Sequence, residues 1–324
     1  MKENILSGMR TTGKLHIGNY FGALSNWLKL QDEYKCYFLL ADYHALTTDY
    51  KDTSKLKENI IEMAKDWLSA GISPEKSVIF LQSLVPEHCE LHLIFSMFVP
   101  VPWLERNPTL KEMIRDYGLR EKVNYGLLGY PVLQAVDILM YKPNKVPVGE
   151  DQLAHLELTR QIARWFNSLY KKIFPEPQPL LSRSPKVPGI DGKKMSKSLK
   201  NYILVRDEPE VIKEKVMQAF TDPQKIRKND PGHPEGCVVF AYHNLVNAEN
   251  LSIIEKECRE GKRGCVACKE EASQKLSEFF REIRERAKSL KDEDVKDIIF
   301  EGSKRARSVA SEVLKEVKEA IGMW

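Results

Sequence analysis

The sequence predicts an α/β fold, in which a doubly wound parallel sheet is followed by a region made only of helices. Three compact apolar runs, at residues 5–6, 35–42 and 77–82, predict strands that are buried on both faces. Segments of helix length separate these runs, as they do in parallel sheets. From about residue 208 onward the apolar residues recur at helical spacing alone. We therefore expect a sheet domain at 1–207 and a helical domain at 208–324.

The individual elements follow from the same patterns. After the first strand, a Gly-rich turn leads into a helix in which Ile17, Phe21 and Leu24 recur at helical spacing. The sheet domain then continues with a strand at 35–42, a helix at 53–70, a strand at 77–82, a helical insertion at 86–141, a strand at 145–148 and a helix to about residue 171. The second domain is predicted to contain helices at 209–220, 270–287 and 292–321, and the stretch 233–264 between them has little apolar content.

Composition sets few limits on function. The chain has 324 residues, of which 42% are hydrophobic, and a formal net charge of +4, so any surface that binds nucleic acid must be a local patch. The N-terminus has no apolar signal region, and the longest apolar stretch, 127–140, is too short to span a membrane and carries Asp137. These features predict a cytoplasmic protein.

Residues 7–20 form the first stretch with chemical content. A turn between a strand and a helix exposes free backbone N–H groups at the positive end of the helix dipole, which favours anions such as phosphate. Gly18 has no Cβ and would let a flat ring such as adenine lie against the backbone. A capped surface helix with a stray histidine would give the same local pattern. The side chains that add donors at this turn are Thr11, Thr12, Lys14, His16 and Asn19.

A second stretch, Lys-Met-Ser-Lys-Ser at residues 194–198, lies in a Gly- and Pro-rich segment. By itself it would be interpreted as a solvated basic loop. Together with His-Ile-Gly-Asn at 16–19, however, it resembles the paired signatures of class I aminoacyl-tRNA synthetases. The resemblance implies a Rossmann-like sheet in which this loop returns to the ATP site after a fifth strand.

The helix predicted at 130–141 carries a polar stripe although it is apolar nearly all round. Tyr130, Gln134, Asp137 and Tyr141 fall at i, i+4, i+7 and i+11 and therefore share one face. Because an unpaired buried carboxylate is costly, the stripe needs partners. It is either a structural hydrogen-bond network or the wall of a pocket that recognises a substrate group with a hydrogen to donate.

The segments 130–141, 146–152 and 155–160 resemble, in order, the amino-acid pocket and ribose-binding turn of bacterial tryptophanyl-tRNA synthetases. This resemblance extends over essentially the whole chain. It implies that Asp137 accepts the indole N–H and that Tyr130 and Gln152 hold the ammonium end of the amino acid. The chain departs from the family at Gln134, where many members have Met, and at Asn19, which replaces the second histidine of the class signature.

The resemblance assigns the remaining site residues. The catalytic residues would be His16, Asn19, Lys194 and Lys197. Tryptophan would be bound by Asp137, Tyr130, Gln134, Gln152 and His44. ATP, arriving with Mg²⁺, would be bound by Arg10, Thr11, Thr12, Gly18, Asn19, Gly149, Glu150, Asp151, Val187, Lys194, Met195, Ser196, Lys197 and Ser198, with Asp151 at the ribose. The family also implies tRNA(Trp) as partner and a homodimer, for which the apolar stretch 91–104 is the candidate surface.

Four of the six cysteines cluster late in the chain, with the spacing C-x20-C-x6-C-x2-C. Because thiolates are metal ligands, Cys237, Cys258, Cys265 and Cys268 could hold a tetrahedral zinc ion or a [4Fe–4S] cluster, and the ligands alone do not choose. A subset of bacterial tryptophanyl-tRNA synthetases resembles this chain in having four cysteines that bind a [4Fe–4S] cluster, which favours the cluster over Zn²⁺. The centre would hold basic residues at an RNA-facing surface, namely Lys262, Arg263 and Lys269.

Three other functions fit part of the sequence. An adenylyltransferase that acts on a small phosphate ester shares the turn at 13–16 but has no need of the loop at 194–198. A synthetase-like protein that binds RNA without catalysis would not need intact signature residues. Within the family, tyrosine is the nearest alternative to tryptophan as substrate.

Overall fold

The computed structural model describes residues 2–116, 118, 123–149, 152–181 and 187–324. Within these residues, five parallel strands form one sheet in the order β3-β2-β1-β4-β5. This order confirms the doubly wound parallel sheet predicted from the sequence. The strands are β1 (Asn4–Arg10), β2 (Lys35–Ala41), β3 (Ser77–Leu81), β4 (Lys145–Val148) and β5 (Gln178–Leu181).

The apolar strands are buried because helices cover both faces of the sheet. Successive side chains of a strand point to opposite faces, and the core divides accordingly. Phe38 and Leu40 of β2 belong to one hydrophobic cluster, and Tyr37 and Leu39 belong to the other. The two clusters explain why this strand is apolar along its length rather than alternating.

The helix predicted after the opening turn is divided into parts. A short helix α1 (Ile17–Asn19) passes into a π-helical turn (Tyr20–Leu24) and then into α2 (Ser25–Glu33). Single π turns inside helices occur frequently at functional sites. The next helices on the sheet side are α3 (Asp42–Asp49) and α4 (Leu56–Ala70).

The insertion between β3 and β4 is helical over its described residues, as predicted. Its last helix begins at Tyr125, five residues before the predicted start, because the Asn124 side chain caps it by accepting the backbone N–H of Leu127 at 2.8 Å. Pro131 therefore lies inside the helix. The insertion contains α5 (Glu87–Ser96), α6 (Val101–Glu105), α7 (Pro108–Asp116) and α8 (Tyr125–Leu139), and α9 (Leu153–Leu169) follows β4.

The C-terminal region is helical, but the stretch 233–264 differs from its prediction. It forms two helices, and Val238, Val239 and Tyr242 on the first are buried in the core. The helix predicted at 270–287 is two helices that meet at Phe280. The helices of this region are α10 (Pro209–Met217), α11 (Val238–Val246), α12 (Leu251–Arg259), α13 (Cys265–Phe279), α14 (Arg281–Ser289) and α15 (Asp292–Ile321).

The C-terminal helices share a core with the sheet. The cluster that contains Ile5 and Phe38 also contains Ile212, Val238 and Ile299. The division into domains at residue 207 stays a prediction. In the described part of the chain, no helix combines the length and apolarity needed to cross a membrane.

Candidate active site

The opening turn lies where the order of the strands reverses. It follows β1, which pairs with β2 on one side and with β4 on the other. In open parallel sheets, the crevice beyond the carboxyl ends of the strands at such a reversal is where ligands bind. The turn at 11–16 therefore occupies a ligand-binding position.

His16 and Asn19 cap the first helix reciprocally. The Asn19 N–H donates to His16 Nδ1 at 3.2 Å, and the His16 N–H donates to Asn19 Oδ1 at 3.1 Å. Burial, together with the nearby charge of Lys197, lowers the pKa of His16 to about 4. The ring is therefore neutral at pH 7, and because Nδ1 accepts a hydrogen bond, the proton lies on Nε2. His16 can offer a neutral N–H donor to a ligand, while the side-chain oxygen of Asn19 is occupied by the cap.

Lys197 joins the loop at 194–198 to the opening turn. Its Nζ donates to the backbone oxygen of Thr12 at 2.7 Å and contacts Thr12 Oγ1 at 3.3 Å. Burial lowers the pKa of Lys197 to about 8, against the opposing effect of Asp66. The ammonium group is thus cationic at pH 7 and sits beside the anion-binding turn.

The chain that follows the loop is also bound to the opening turn. The Ile17 N–H donates to the Ile203 oxygen at 2.9 Å, and the Val205 N–H donates to the Leu15 oxygen at 3.0 Å. The two segments that the sequence suggested as partners therefore meet, although Thr12 and Lys197 are 185 positions apart in the chain.

The other predicted ATP-binding residues of the opening turn and the 187–198 segment differ in how deeply they are buried. A Cβ on Gly18 would lie 2.9 Å from His16 Nδ1 and 3.6 Å from Met195 Sδ, so this glycine permits the close approach of both side chains. Val187 and Met195 are buried in the core, and Lys194 is exposed. The hydroxyl oxygens of Ser196 and Ser198 lie 3.1 Å apart.

Arg10 and Thr11 lie close to α3. Arg10 donates to the Thr48 hydroxyl and to the Ala45 oxygen, and Thr11 is buried with no hydrogen-bond partner for its Oγ1. Gly149 accepts the backbone N–H of Gln152 at 3.0 Å. Glu150 and Asp151, predicted to bind ATP, lie outside the described residues.

Asp137 lies at the centre of a buried polar cluster. Its Oδ2 is 2.7 Å from His44 Nε2, and its Oδ1 is 2.6 Å from His88 Nδ1. The Gln82 amide donates to both oxygens, at 2.8 and 3.0 Å. Burial disfavours the charged carboxylate, but the hydrogen bonds from His44 and His88 outweigh it and lower the pKa of Asp137 to about 2. Asp137 is therefore a charged acceptor in a nearly water-free environment.

Two of the predicted tryptophan ligands, His44 and Tyr130, lie beside this carboxylate. The Tyr130 ring packs edge-on against His44, with centroids 4.6 Å apart, and lies 5.6 Å from the His155 ring. Gln134, one turn before Asp137 on α8, has a buried side-chain oxygen with no hydrogen-bond partner. The surroundings of Asp137 thus combine aromatic side chains with unsatisfied polar atoms, as a pocket for an amphipathic ring requires.

Two residues of this cluster were missed by sequence analysis. Gln82 follows the last residue of β3, and His88 lies in the first turn of α5. The position of Gln82 at the carboxyl end of a predicted strand was the available signal. Tyr141, the end of the predicted polar stripe, hydrogen-bonds His88 Nε2 at 2.9 Å and is fully buried. Asp137 and Tyr141 of the stripe therefore belong to one hydrogen-bond network, joined through His88.

The late cysteines lie in one region but show no metal-binding arrangement. Cys237 precedes α11, Cys258 lies in α12, and Cys265 and Cys268 lie in the first turn of α13. The pKa of Cys258 is raised by burial and by the charges of Cys237 and Cys265, against the opposing effect of Lys225. The Cys268 Sγ lies 3.4 Å from His243 Nε2. In the described ranges, no group of three or more His, Cys, Asp or Glu side chains is placed to hold a metal ion. The structure thus gives no support for a [4Fe–4S] cluster or for zinc.

The basic residues predicted to face RNA have local partners. Arg263 pairs with Glu257 and Glu271. Lys262 pairs with Glu260 at 2.6 Å, and Lys269 donates to a backbone oxygen of α10. Acidic side chains therefore offset charge on the first two, and an RNA-facing role for the three residues stays a prediction.

Comparison with known proteins decides the family. The chain matches the family described as "tRNA synthetases class I (W and Y)" over residues 2–281. It is 48% identical to the tryptophan–tRNA ligase of Thermotoga maritima and 44% identical to that of Aquifex aeolicus, in alignments that cover 98% of this chain and 99% of each relative. The chain belongs to the class I tryptophanyl-tRNA synthetases. It is therefore a tryptophan–tRNA ligase.

A solved structure supports the assignment. The tryptophanyl-tRNA synthetase of Campylobacter jejuni, complexed with ADP and tryptophan, superimposes with a TM-score of 0.88 at 34% identity. The match covers 99% of this chain and 100% of that chain. The synthetase fold predicted from the two signatures is thus confirmed.

Proposed function

We propose that this synthetase activates tryptophan with ATP at the crevice between β1 and β4, and then transfers it to tRNA(Trp). The observation that carries the proposal is the contact of Lys197 with Thr12, which brings the two signature segments together at the ligand-binding edge of the sheet. In the first step, a carboxylate oxygen of tryptophan forms a bond to the α-phosphorus of ATP, and the bond to pyrophosphate breaks. In the second step, a hydroxyl of the terminal adenosine of tRNA takes the aminoacyl group, and AMP leaves.

Activation needs positioning and charge stabilisation rather than covalent catalysis. His16 would donate its Nε2–H to a phosphate oxygen, since its Nδ1 is used in the cap. Lys197 and the exposed Lys194 would neutralise the charge that develops on the leaving pyrophosphate. Mg²⁺ would arrive with ATP, because proteins usually bind this ion through the phosphates of the substrate rather than through a set of protein ligands alone.

Tryptophan would be recognised through Asp137. Its carboxylate can accept about four hydrogen bonds, and His44, His88 and Gln82 already provide that number. The indole N–H can therefore bind only if one bond is released. The Gln82 amide bonds to both carboxylate oxygens, so it can give up its bond to one oxygen and keep its bond to the other. Of the three partners, it therefore loses least when the indole N–H binds.

The proposal is tested by ATP–pyrophosphate exchange. With Mg²⁺-ATP, the purified protein should catalyse exchange that depends on tryptophan and not on tyrosine. Exchange driven by tyrosine would overturn the assignment of the pocket to tryptophan, and absence of exchange with any amino acid would overturn the proposed activation reaction. An adenylyltransferase would show no dependence on an amino acid.

We also propose that the four late cysteines hold a metal centre, with a [4Fe–4S] cluster preferred and Zn²⁺ as the alternative. The support is the chemistry of the thiols and their placement: Cys237 precedes the first residue of α11, Cys258 lies in α12, and Cys265 and Cys268 lie one turn apart at the start of α13. A centre there would tie α11, α12 and α13 together.

Anaerobically purified protein tests the metal. A cluster predicts a brown protein whose visible absorbance is bleached by dithionite, and Cys265→Ser should abolish it while tryptophan activation persists. A colourless protein with one equivalent of zinc would show that the cysteines hold zinc instead of the cluster. Absence of both metals would overturn the proposal.

We propose a homodimer formed through α5, α6 and α9. Within the predicted stretch 91–104, Leu91 and Leu104 are buried, but Leu93, Met97 and Val101 are exposed. Trp103 and Trp165 pack edge-to-face at 5.5 Å beside a groove of about 670 Å³ between α6 and α9. An exposed apolar surface of this kind is typical of protein contacts.

Sedimentation velocity tests the dimer. Met97→Glu should convert the wild-type dimer to monomer because it places a charge at the contact. Ile253→Glu, at an exposed apolar position in the C-terminal region, is the matched control and should leave the dimer intact. A monomeric wild type, or a dimer that Met97→Glu leaves unchanged, would contradict the proposed surface.

A further inference from the structure

The C-terminal helix α15 packs directly on the strand that leads to the tryptophan site. A Cβ on Gly302 would lie 1.8 Å from the backbone oxygen of Ile79, so helix and strand are in backbone contact. One residue later, Ser303 Oγ accepts the backbone N–H of Leu81 at 3.1 Å and donates to Ile299 in its own helix at 2.7 Å. Leu81 is the last residue of the edge strand β3, so this hydroxyl fixes its free N–H.

A second contact lies one and two turns further along α15. Arg307 Nε donates to Glu87 Oε1 at 2.9 Å, and Ser311 Oγ donates to the same oxygen at 2.8 Å. Glu87 is the first residue of α5 and is 8% exposed. These bonds, with Arg307 charged, hold the start of α5 against α15.

The two contacts share one face of α15, because positions 303, 307 and 311 are spaced by i+4. Each contact holds a residue that directly precedes a hydrogen-bond partner of Asp137. Leu81 precedes Gln82, and Glu87 precedes His88. We infer that Ser303, Arg307 and Ser311 are positioning residues of the tryptophan site, through which the C-terminal helix sets the donors that orient Asp137. This inference rests on the proposed role of Asp137.

The positioning role has a specific kinetic consequence. If the start of α5 loosens, His88 no longer holds the carboxylate in one orientation, and the indole N–H meets a less well placed acceptor. The KM for tryptophan should therefore rise while the KM for ATP, bound at the far end of the crevice, stays constant. A purely structural contact would lower the melting temperature without this selectivity.

Two arginines of α15 provide a matched pair. Arg305 donates to the backbone oxygens of Pro74 and Ser77, at the start of β3 and away from the site. Arg307→Gln should raise the KM for tryptophan by about fivefold in pyrophosphate exchange, the upper end for an ion pair with an exposed arginine, whereas Arg305→Gln should change it less than twofold. Ser311→Ala should shift it in the same direction as Arg307→Gln, and Arg307→Lys, which retains a donor to Glu87, should restore most of the wild-type value.

A double-mutant cycle separates this inference from the proposal on which it rests. In an Asp137→Ala background, Arg307→Gln should add little to the KM for tryptophan, because both changes act through the same carboxylate. If Asp137→Ala raises this KM but Arg307→Gln and Ser311→Ala behave like Arg305→Gln, or if the two effects add fully, the positioning role is overturned alone. If Asp137→Ala leaves the KM unchanged, both proposals are overturned.

Discussion

Replacing Lys197 by methionine removes the cation that bridges the two signature segments. Because the ammonium group is held beside the anion-binding turn by a 2.7 Å bond to Thr12, its loss should slow activation by about 100-fold or more, on the order of 3 kcal/mol. Tryptophan binding should persist. Since burial lowers the pKa of this lysine, folding disfavours its charge, and the variant should melt no lower than the wild type.

The same pKa predicts a pH dependence. With a pKa of about 8, about 90% of Lys197 is protonated at pH 7 and about 10% at pH 9. The kcat/KM for ATP, which reports the free enzyme, should therefore fall through pH 8. Lys197→Arg keeps its charge at these pH values, so the fall of kcat/KM through pH 8 should be absent in this variant.

Stopped-flow measurement of adenylate formation in wild type, Lys197→Met and Lys197→Arg checks both statements. Lys193→Met is the control, because Lys193 is exposed on the same loop and should be replaceable at less than twofold cost. Unchanged activation in Lys197→Met, or a fall of kcat/KM through pH 8 that survives in Lys197→Arg, would refute the assigned role.

Three further substitutions test the packing around the site. Gly18→Ala places a Cβ 2.9 Å from His16 Nδ1 and should lower kcat/KM for ATP by roughly tenfold; exchange kinetics equal to wild type would contradict the close approach. Asn19→Ala removes the side-chain oxygen that accepts the His16 N–H and should cost about 1 kcal/mol of unfolding free energy, which calorimetry would detect as a lower Tm; an unchanged Tm would mean that this bond contributes nothing. Gly302→Ala forces α15 away from Ile79 and should lower the Tm by several degrees, a result that an equally stable variant would rule out.

The inner strands could be predicted from the sequence because burial on both faces makes them continuously apolar. Residues 35–41 and 77–81 carry this pattern. β5 does not, since it lies at the sheet edge, is mostly exposed and contains Pro179. Residues 233–264 were misjudged because the short apolar run at 238–242 lies among polar residues and was averaged with them, although Val238, Val239 and Tyr242 are buried in the core.

The site was predictable to the extent that its residues lie in short segments. Local patterns singled out His16 and Asp137, and the resemblance to class I synthetases added Lys197; the structure shows that His16 and Lys197 belong to adjoining segments. His88 could not be found this way because it precedes Asp137 by 49 residues and meets it only after folding. Gln82 precedes Asp137 by 55 residues, and its position at the end of a predicted strand was its one local signal. The reciprocal cap of His16 and Asn19 likewise depends on backbone geometry that the residue types permit but do not require.

The central claim is that Asp137 accepts the indole N–H of tryptophan. Pyrophosphate exchange with tryptophan and with its benzothiophene analogue, in which sulfur replaces the N–H group, tests it directly. The wild type should prefer tryptophan in kcat/KM by about 10- to 100-fold, the value of a hydrogen bond to a charged group. Asp137→Ala should lose most of this preference whatever its overall activity. A preference that is the same in both proteins would contradict the account.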